Sequence, residues 1–470
     1  MPDIVLATCQ TGRPRLDLPP IQMLNCFLEK TPGGPAATVR TVRPGLQEAF
    51  VIGAGPILRT FQKLGIFNNA VFNVSGGELY ENQTLLGEVA YSTAPRFAAA
   101  QTFLTLICGG ALYIYNGSTF VTQTGFFDVA SMLPPFSGCA VLYNIWIYPV
   151  VGSNQFFFSD VGNPGQISAG NFGAAQVSPT PIVEVAVLAE ELYFFKTDTV
   201  EIWDFTGSLT APFAESPGRT YARGCAAQGS VSQLDNSLFW VGDDFTVYRT
   251  STVPQRVSTP YIDDLINEES NAGDISVITS YPFNLEGHVY YVLNLPATGI
   301  TVVYDCETQQ WFRWGTQQPL QADPGVWLPQ TSAGGLGVQL YAGSSVDGTV
   351  YLIHETAHDD NGTPIQVVVS GAHWIEEGVA RANNLALQMV RGVATSAVPD
   401  PLMWMRWTED GGRTWTSWLP GSVGPIGGYR WKISWHSLGL IRQPGREFEF
   451  RISDPVNITI ESATINPARR

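Results

Sequence analysis

The chain has 470 residues, of which 44% are hydrophobic and only 14% charged, and its formal net charge is −16. That length outgrows one ordinary core and predicts two or three domains. Aromatic and turn-forming residues are plentiful, with 47 Gly and 32 Pro; they argue for an all-β protein, and the acidity disfavours direct nucleic-acid binding because phosphates are repelled.

In chain order, the first segment is residues 1–45, with a net charge of +2. Its opening, MPDIVLATCQTGRPRL, lacks a basic region followed by an apolar core, so no signal peptide is read. Pro and Gly interrupt residues 21–50 too often for a compact unit, which predicts an extended N-terminal arm over 1–45.

Residues 46–365 carry a net charge of −20. They repeat loosely, each unit a strand, a turn, an apolar strand and a polar turn: 68–89, 101–121, 141–158, 183–205, 231–249, 287–314 and 337–353. A spacing of about forty residues is that of propeller blades, and a short meander that cannot bury its own faces gains by stacking around an axis. About seven units of a β-propeller are expected over 46–365. Residues 97–115, FAAAQTFLTLICGGALYIY, reach transmembrane length, but Gln101, Thr102, Thr105 and Gly109-Gly110 interrupt them, so two strands and a turn explain them better than a span.

From Phe97 to Val183 there is no Lys or Arg, and the only acids are Asp128 and Asp160. Loops are normally solvated and polar, so uncharged loops at 132–138 and 163–176 predict contact with other subunits. The scarcity of lysine (Lys30, Lys63, Lys196 and Lys432) points the same way. One helix is expected at 260–269, with Tyr261, Leu265 and Ile266 on one side and acids on the other.

Several motifs invite chemistry. His354-Glu355-Thr356-Ala357-His358 has the HExxH spacing of zinc proteases, which place both His one helical turn apart. Here a strand, 348–353, leads in and an Asp359-Asp360-Asn361-Gly362 turn follows, so no metal site is expected. The acid pairs Asp243-Asp244, Asp263-Asp264, Glu268-Glu269 and Asp359-Asp360 fit no calcium-loop pattern and are expected in solvated turns. Six cysteines (Cys9, Cys26, Cys108, Cys139, Cys225 and Cys306) lack the spacing of a zinc ribbon or disulfide framework and read as scattered buried thiols from a reducing cytosol. No nucleophile–base pair, phosphate loop or cofactor motif stands out; no enzyme, cofactor or catalytic residue is expected.

Residues 366–470 have a net charge of +2 and hold six of the thirteen Trp between Trp404 and Trp435. Met403, Met405 and Trp407 alternate with Trp404, Arg406 and Thr408, the period of a half-buried strand. Asp410-Gly411-Gly412 then predicts a turn and Thr414–Trp418 a returning strand. Thr408–Trp415 fits a sialidase Asp box, a hairpin staple that by itself performs no chemistry, and a sialidase also needs an arginine cluster and a Tyr nucleophile. The expected C-terminal domain is an antiparallel β-sandwich over 366–470.

An ordered series of motifs carries a resemblance. Asn25 with Glu29, then Arg43-Pro44-Gly45-Leu46, precede Gly348–Tyr351 and Asp359–Ile365. Trp407–Trp415, Gly427–Trp431, Trp435–Gly439 and Phe448–Ile452 follow. In that order they resemble the packaged-DNA stabilization, or tail hub and nozzle, proteins of P22-like short-tailed bacteriophages. The resemblance implies a structural virion protein without enzymatic activity, assembled in the host cytoplasm. Six copies would form a ring below the portal and head-to-tail adaptor, retain the packaged genome and open for ejection. The neighbours would be the tail needle and tailspikes or fibres, and double-stranded DNA would pass without specific binding. Six copies at −16 each would carry −96, and acidic faces along a conduit would keep sliding DNA from sticking. The alternative from a different class is a monomeric propeller that binds carbohydrate or resembles a sialidase.

Overall fold

A computed structural model describes residues 3–12, 21–31, 37–91, 95–208, 210–251, 253–318, 324–334, 339–375 and 378–466. The chain divides into two compact units, one of Glu48–Gly299 and Leu328–Leu352, the other of Met1–Gln47, Ile300–Trp327 and Ile353–Arg470. Both are built of strands; the one α-helix among the described residues is Pro260–Ala272.

The first unit is a β-propeller. Five blades are four-stranded antiparallel meanders, spanning 57–88, 96–123, 140–174, 182–221 and 232–256. In the sixth, Pro329–Ala333, Tyr341–Ser344 and Thr349–His354 are joined by the strand Gly45–Val51 from the other end of the sequence. A hairpin, Thr279–Leu285 with His288–Leu295, lies between the fifth and sixth blades, its inner strand against both. The unit expected at 287–314 is present as three consecutive strands, His288–Leu295, Ile300–Asp305 and Gln310–Trp314, with the residues from Ile300 clustering with the other compact unit. The unit expected at 337–353 supplies strands of the sixth blade, although residues 337–338 lie outside the described residues.

The apolar sequences of these blades follow from burial on both faces. In the fourth blade, Leu192 and Phe194 pack with Phe156 and Ile147 of the third. Tyr193 and Phe195, on the opposite face, pack with Leu238 and Trp240 of the fifth. Successive side chains of a strand point to opposite faces, so a strand between two neighbouring blades reads as an unbroken apolar run. The same holds at 97–115, where Leu104 and Leu106 join the first-blade cluster and Ile107 and Ile114 the third-blade cluster. The stretch is three strands, Arg96–Ala100, Phe103–Cys108 and Ala111–Tyr115, one more than expected. Its turns use Gln101, Gly109 and Gly110 at positive φ. Among the described residues no helix is long and apolar enough to cross a membrane.

Ring closure depends on Gly348. The Ile52 amide donates to the Gly348 carbonyl at 2.8 Å, and a Cβ built at Gly348 would stand 1.7 Å from the Ile52 carbonyl oxygen. Ile52 itself packs with Ile57, Tyr80 and Val350 across the first and sixth blades. Gly348→Ala is therefore expected to push the closing strand outward and cost about 1–3 kcal/mol. Hydrogen exchange should then rise at residues 48–52; unchanged protection there would contradict this.

The helix runs three residues beyond the expected end. Its buried residues are Ile262, Leu265, Ile266 and Glu269, whereas Tyr261 is only partly buried. Glu269 is expected in solvent but is fully buried, accepting from the Ala297 and Thr298 amides at 2.7 Å each and from the Thr298 hydroxyl at 2.8 Å. Those three donors satisfy a carboxylate that could not otherwise be taken from water.

The second unit packs two sheets joined by a shared strand. Asp3–Leu6 pairs first with Thr459–Ile465 and then with Val367–Trp374. The residues expected as an extended arm thus supply strands to the C-terminal unit: Cys26–Lys30 pairs with Thr38–Val42, and Met23–Leu24 pairs with Val367–Trp374. Their Pro and Gly punctuation separates short strands, all but Cys26–Lys30 held by partners distant in sequence. Inward positions are apolar, including Met403, Met405, Phe448, Phe450, Leu385 and Ile433. Full burial of each such side chain is worth about 1.5–3 kcal/mol.

Candidate functional site

In the second unit, three chain segments meet at a buried guanidinium. Arg43, 0% exposed, is held by the Asp360 carboxylate, 1% exposed. The contacts are bidentate, Nη1 to Oδ1 at 2.8 Å and Nη2 to Oδ2 at 2.6 Å. The remaining donors reach Asn25 Oδ1 at 2.9 Å, the Pro44 carbonyl and the Gly315 carbonyl. Asn25 also accepts from the Gly315 amide and donates to the Gln366 carbonyl, and Thr316 donates to Asp360. The Trp327 ring lies 5.1 Å from the guanidinium carbon. A buried ion pair of this kind is tolerated because each donor and lone pair is met. Gly45 fits the same node, since a Cβ there would lie 2.3 Å from the Asp359 carbonyl oxygen. Asn25, residues 43–46 and residues 359–362, which read as separate motifs in the sequence, are therefore one structural element. Asp360 is a correction to the expectation of solvated acid pairs.

The HExxH residues lie beside this turn. His354 ends the strand Thr349–His354, and residues 355–358 are turn and coil. His354 Nδ1 is 2.9 Å from the Thr356 hydroxyl. His358 is half-buried, and burial holds its pKa below the ordinary value against the opposing effect of Asp359. The two imidazoles line an open cavity of about 460 Å³ with Leu46, Asp359, Asn361 and Pro455. Without the helix they are not presented one turn apart, which is what zinc ligation by this motif requires.

Other acid pairs are satisfied locally. Asp243 accepts from the Gly224 amide, Asp244 from Tyr248, and Asp263 from Arg256 and Ser258. Cys26, Cys108, Cys139 and Cys225 are buried, and burial pushes their thiols up to about 12. They remain protonated and unreactive at neutral pH.

At the Asp box, Asp410 Oδ1 accepts from the Thr408 hydroxyl and the Thr414 amide, both at 2.8 Å, and Oδ2 from the Thr414 hydroxyl at 2.6 Å. The returning strand begins at Leu419, not Thr414: Met405 pairs with Leu419. Residues 414–418 instead bring two Trp rings around Arg406, its guanidinium carbon 4.4 Å from Trp415 and 4.5 Å from Trp418. Arg451 stacks on Trp418 at 4.3 Å, and Arg406 also pairs with Glu449 at 2.5 Å. Stacked and paired, Arg406 is committed to the fold, whereas sialidase chemistry needs arginines free for a substrate carboxylate. The Thr408 and Thr414 donors hold the Asp410 carboxyl down at about 2. That is below the unfolded value of about 3.9, so the staple is fully present above about pH 4 and lost as pH falls through about 2. Carboxyl-carbon NMR should place the Asp410 midpoint near that low value; a midpoint at an ordinary carboxylate value would contradict the staple.

The comparisons with known proteins are consistent along the chain. The family model described as Bacteriophage P22 Gp10, beta-propeller, matches residues 36–323, and that described as Bacteriophage P22 Gp10, beta-sandwich, matches 369–467. The tail hub protein gp10 of Salmonella phage P22 is 22% identical over 262 residues, covering 52% of this chain and 54% of that protein. The match thus spans about half the length of that relative. Among solved structures, the N-terminal domain of Nup159 aligns with a TM-score of 0.43 at 11% identity, over 71% of this chain and 98% of that one. YCF48 from Cyanidioschyzon merolae aligns with a TM-score of 0.38 at 12% identity, over 66% and 98%. Likenesses of this size carry no functional weight.

Proposed function

The chain belongs to the bacteriophage P22 Gp10 family of tail hub proteins, and on that premise we propose that it is a structural subunit of a short phage tail, joined to copies of itself and to other tail proteins around the path of the DNA. The observation that carries this reading is the uncharged stretch 97–183. It holds nine of the twenty-four exposed large apolar side chains among the described residues, twice its share of the length. Phe127 at 62% and Met132 at 73% exposure stand out on the connection between the second and third blades, and Phe172 at 54% on the last strand of the third. Its two acids are occupied by donors of the stretch itself: Asp128 accepts from the Ala169 amide and Asp160 from Asn171. Part of the uncharged character serves the chain's own packing, since Phe136 and Ile167 are buried there. The remainder is an apolar surface of the kind that marks protein contact.

In this reading six copies form a ring below the head-to-tail adaptor, with the tail needle and spikes or fibres as neighbours. The ring retains the genome and opens at ejection. The net charge of −20 over 46–365 supports a conduit from which DNA is repelled. A Phe127→Asp/Met132→Asp variant tests the contact face. Sedimentation of wild-type and variant chains, each alone and with the adaptor protein, should give multimers for the wild type and monomers for the variant. A variant that assembles like the wild type overturns the assigned face.

A further inference from the structure

Along the axis of the propeller unit lies a cavity of about 300 Å³ lined by residues of the first five blades. Residues 46–365 contain nine basic side chains, and three of them, Arg59, Lys63 and Arg96, line this cavity. One acid faces them, Glu184 of the fourth blade. Glu184 is taken by Arg96, whose Nε donates to Oε2 and whose Nη1 donates to the Pro95 carbonyl. Lys63, at the exposed end, donates to the Ala99 carbonyl. The Arg59 guanidinium has no hydrogen-bond or ion-pair partner among the described residues.

This is a surplus of positive charge in an open cavity, with Arg59 partly buried and Lys63 exposed, whose other walls include Phe61, Phe97, Val185 and Leu238. Charges removed from bulk water are ordinarily paired, and attraction to a counter-charge strengthens as the surroundings become less polar. A guanidinium offers a planar fork of donors that matches an oxyanion. The cavity holds several times the volume of one water, about 30 Å³, and so admits a small hydrated anion. We propose that the axial cavity of the propeller is a binding site for a small tetrahedral oxyanion of the phosphate or sulfate type, with Arg59 as its principal ligand and Lys63 and Arg96 supplying the field. Burial and the neighbouring Arg96 push the Arg59 pKa down to about 10 while Glu184 opposes them; an oxyanion would reverse that depression. The site is independent of the tail assignment, which rests on the exposed side chains of residues 97–183.

Isothermal titration of the full chain with inorganic phosphate at low ionic strength tests the proposal. One saturable site per chain is expected. Arg59→Gln should weaken it at least tenfold, Arg59→Lys should retain binding within a few-fold, and Arg223→Gln, at an exposed ion pair, should leave it unchanged. Circular dichroism and the thermal midpoint of each variant establish that it is folded. No saturable binding, or binding by folded Arg59→Gln equal to the wild type, would overturn the site. A 5′-phosphorylated oligonucleotide that binds more tightly than phosphate with the same Arg59 dependence would assign the cavity to nucleic-acid ends and overturn the free-anion reading.

Discussion

Asp360→Ala is expected to destabilise the second unit by about 3–5 kcal/mol, because it leaves the Arg43 guanidinium buried without its counter-charge. Arg43 is inaccessible to solvent, so water cannot replace the lost carboxylate without opening the node. Asn25 and the Gly315 carbonyl would still accept from it, which limits the loss to the charge and two of its hydrogen bonds. Trp327, beside the guanidinium, gives the readout: the denaturation midpoint followed by tryptophan fluorescence should fall sharply. Replacing both partners, as in Arg43→Met/Asp360→Leu, should cost much less than the single substitution, since an apolar pair of similar volume removes the unpaired charge. A double variant as unstable as Asp360→Ala would mean that shape and backbone contacts, not charge, hold the node.

In the propeller, Glu201→Ala should have an effect of the same size, about 3–5 kcal/mol. Lys196 and Glu201 are both 0% exposed, with Nζ 2.7 Å from Oε1. Lys196 also donates to the Ala175 and Ser178 carbonyls, so the pair ties the connection from the third blade to the fourth. Removing the carboxylate strands an ammonium that must either remain charged in a dry site or lose its proton. Lys196→Met/Glu201→Leu should recover most of the stability. Hydrogen exchange at 175–178 separates the explanations: if the ammonium tethers this connection, the double variant regains stability while those amides stay less protected. Full protection in the double variant would contradict the tether.

Much of the architecture was legible because propeller chemistry is local. Each blade is a meander of neighbouring strands, and its apolar runs and Gly-Gly or Asn turns are visible without long-range knowledge. The strands ELYFF and LTLIC are examples, apolar at four of five positions because both faces are covered. The rest depends on pairings between residues hundreds of positions apart. The N-terminal residues read as an arm because their strands are two to five residues long and their partners lie near residues 371 and 463. Likewise, Asp360 and Glu269 look like solvated acids until Arg43 and the Ala297–Thr298 amides are brought to them. The usable signal was Arg43 itself, an arginine set between the strand Thr38–Val42 and Pro44-Gly45. For the axial cavity no local pattern exists: Arg59, Arg96 and Glu184 come from three blades and meet only through the ring.

The most direct test of the tail-hub account is cryo-electron microscopy of the assembled tail. The account predicts a closed ring of copies around the DNA path, with Phe127, Met132 and Phe172 buried between neighbouring chains. A tail in which those three side chains face solvent, or in which the chain stands singly away from the DNA path, would contradict it.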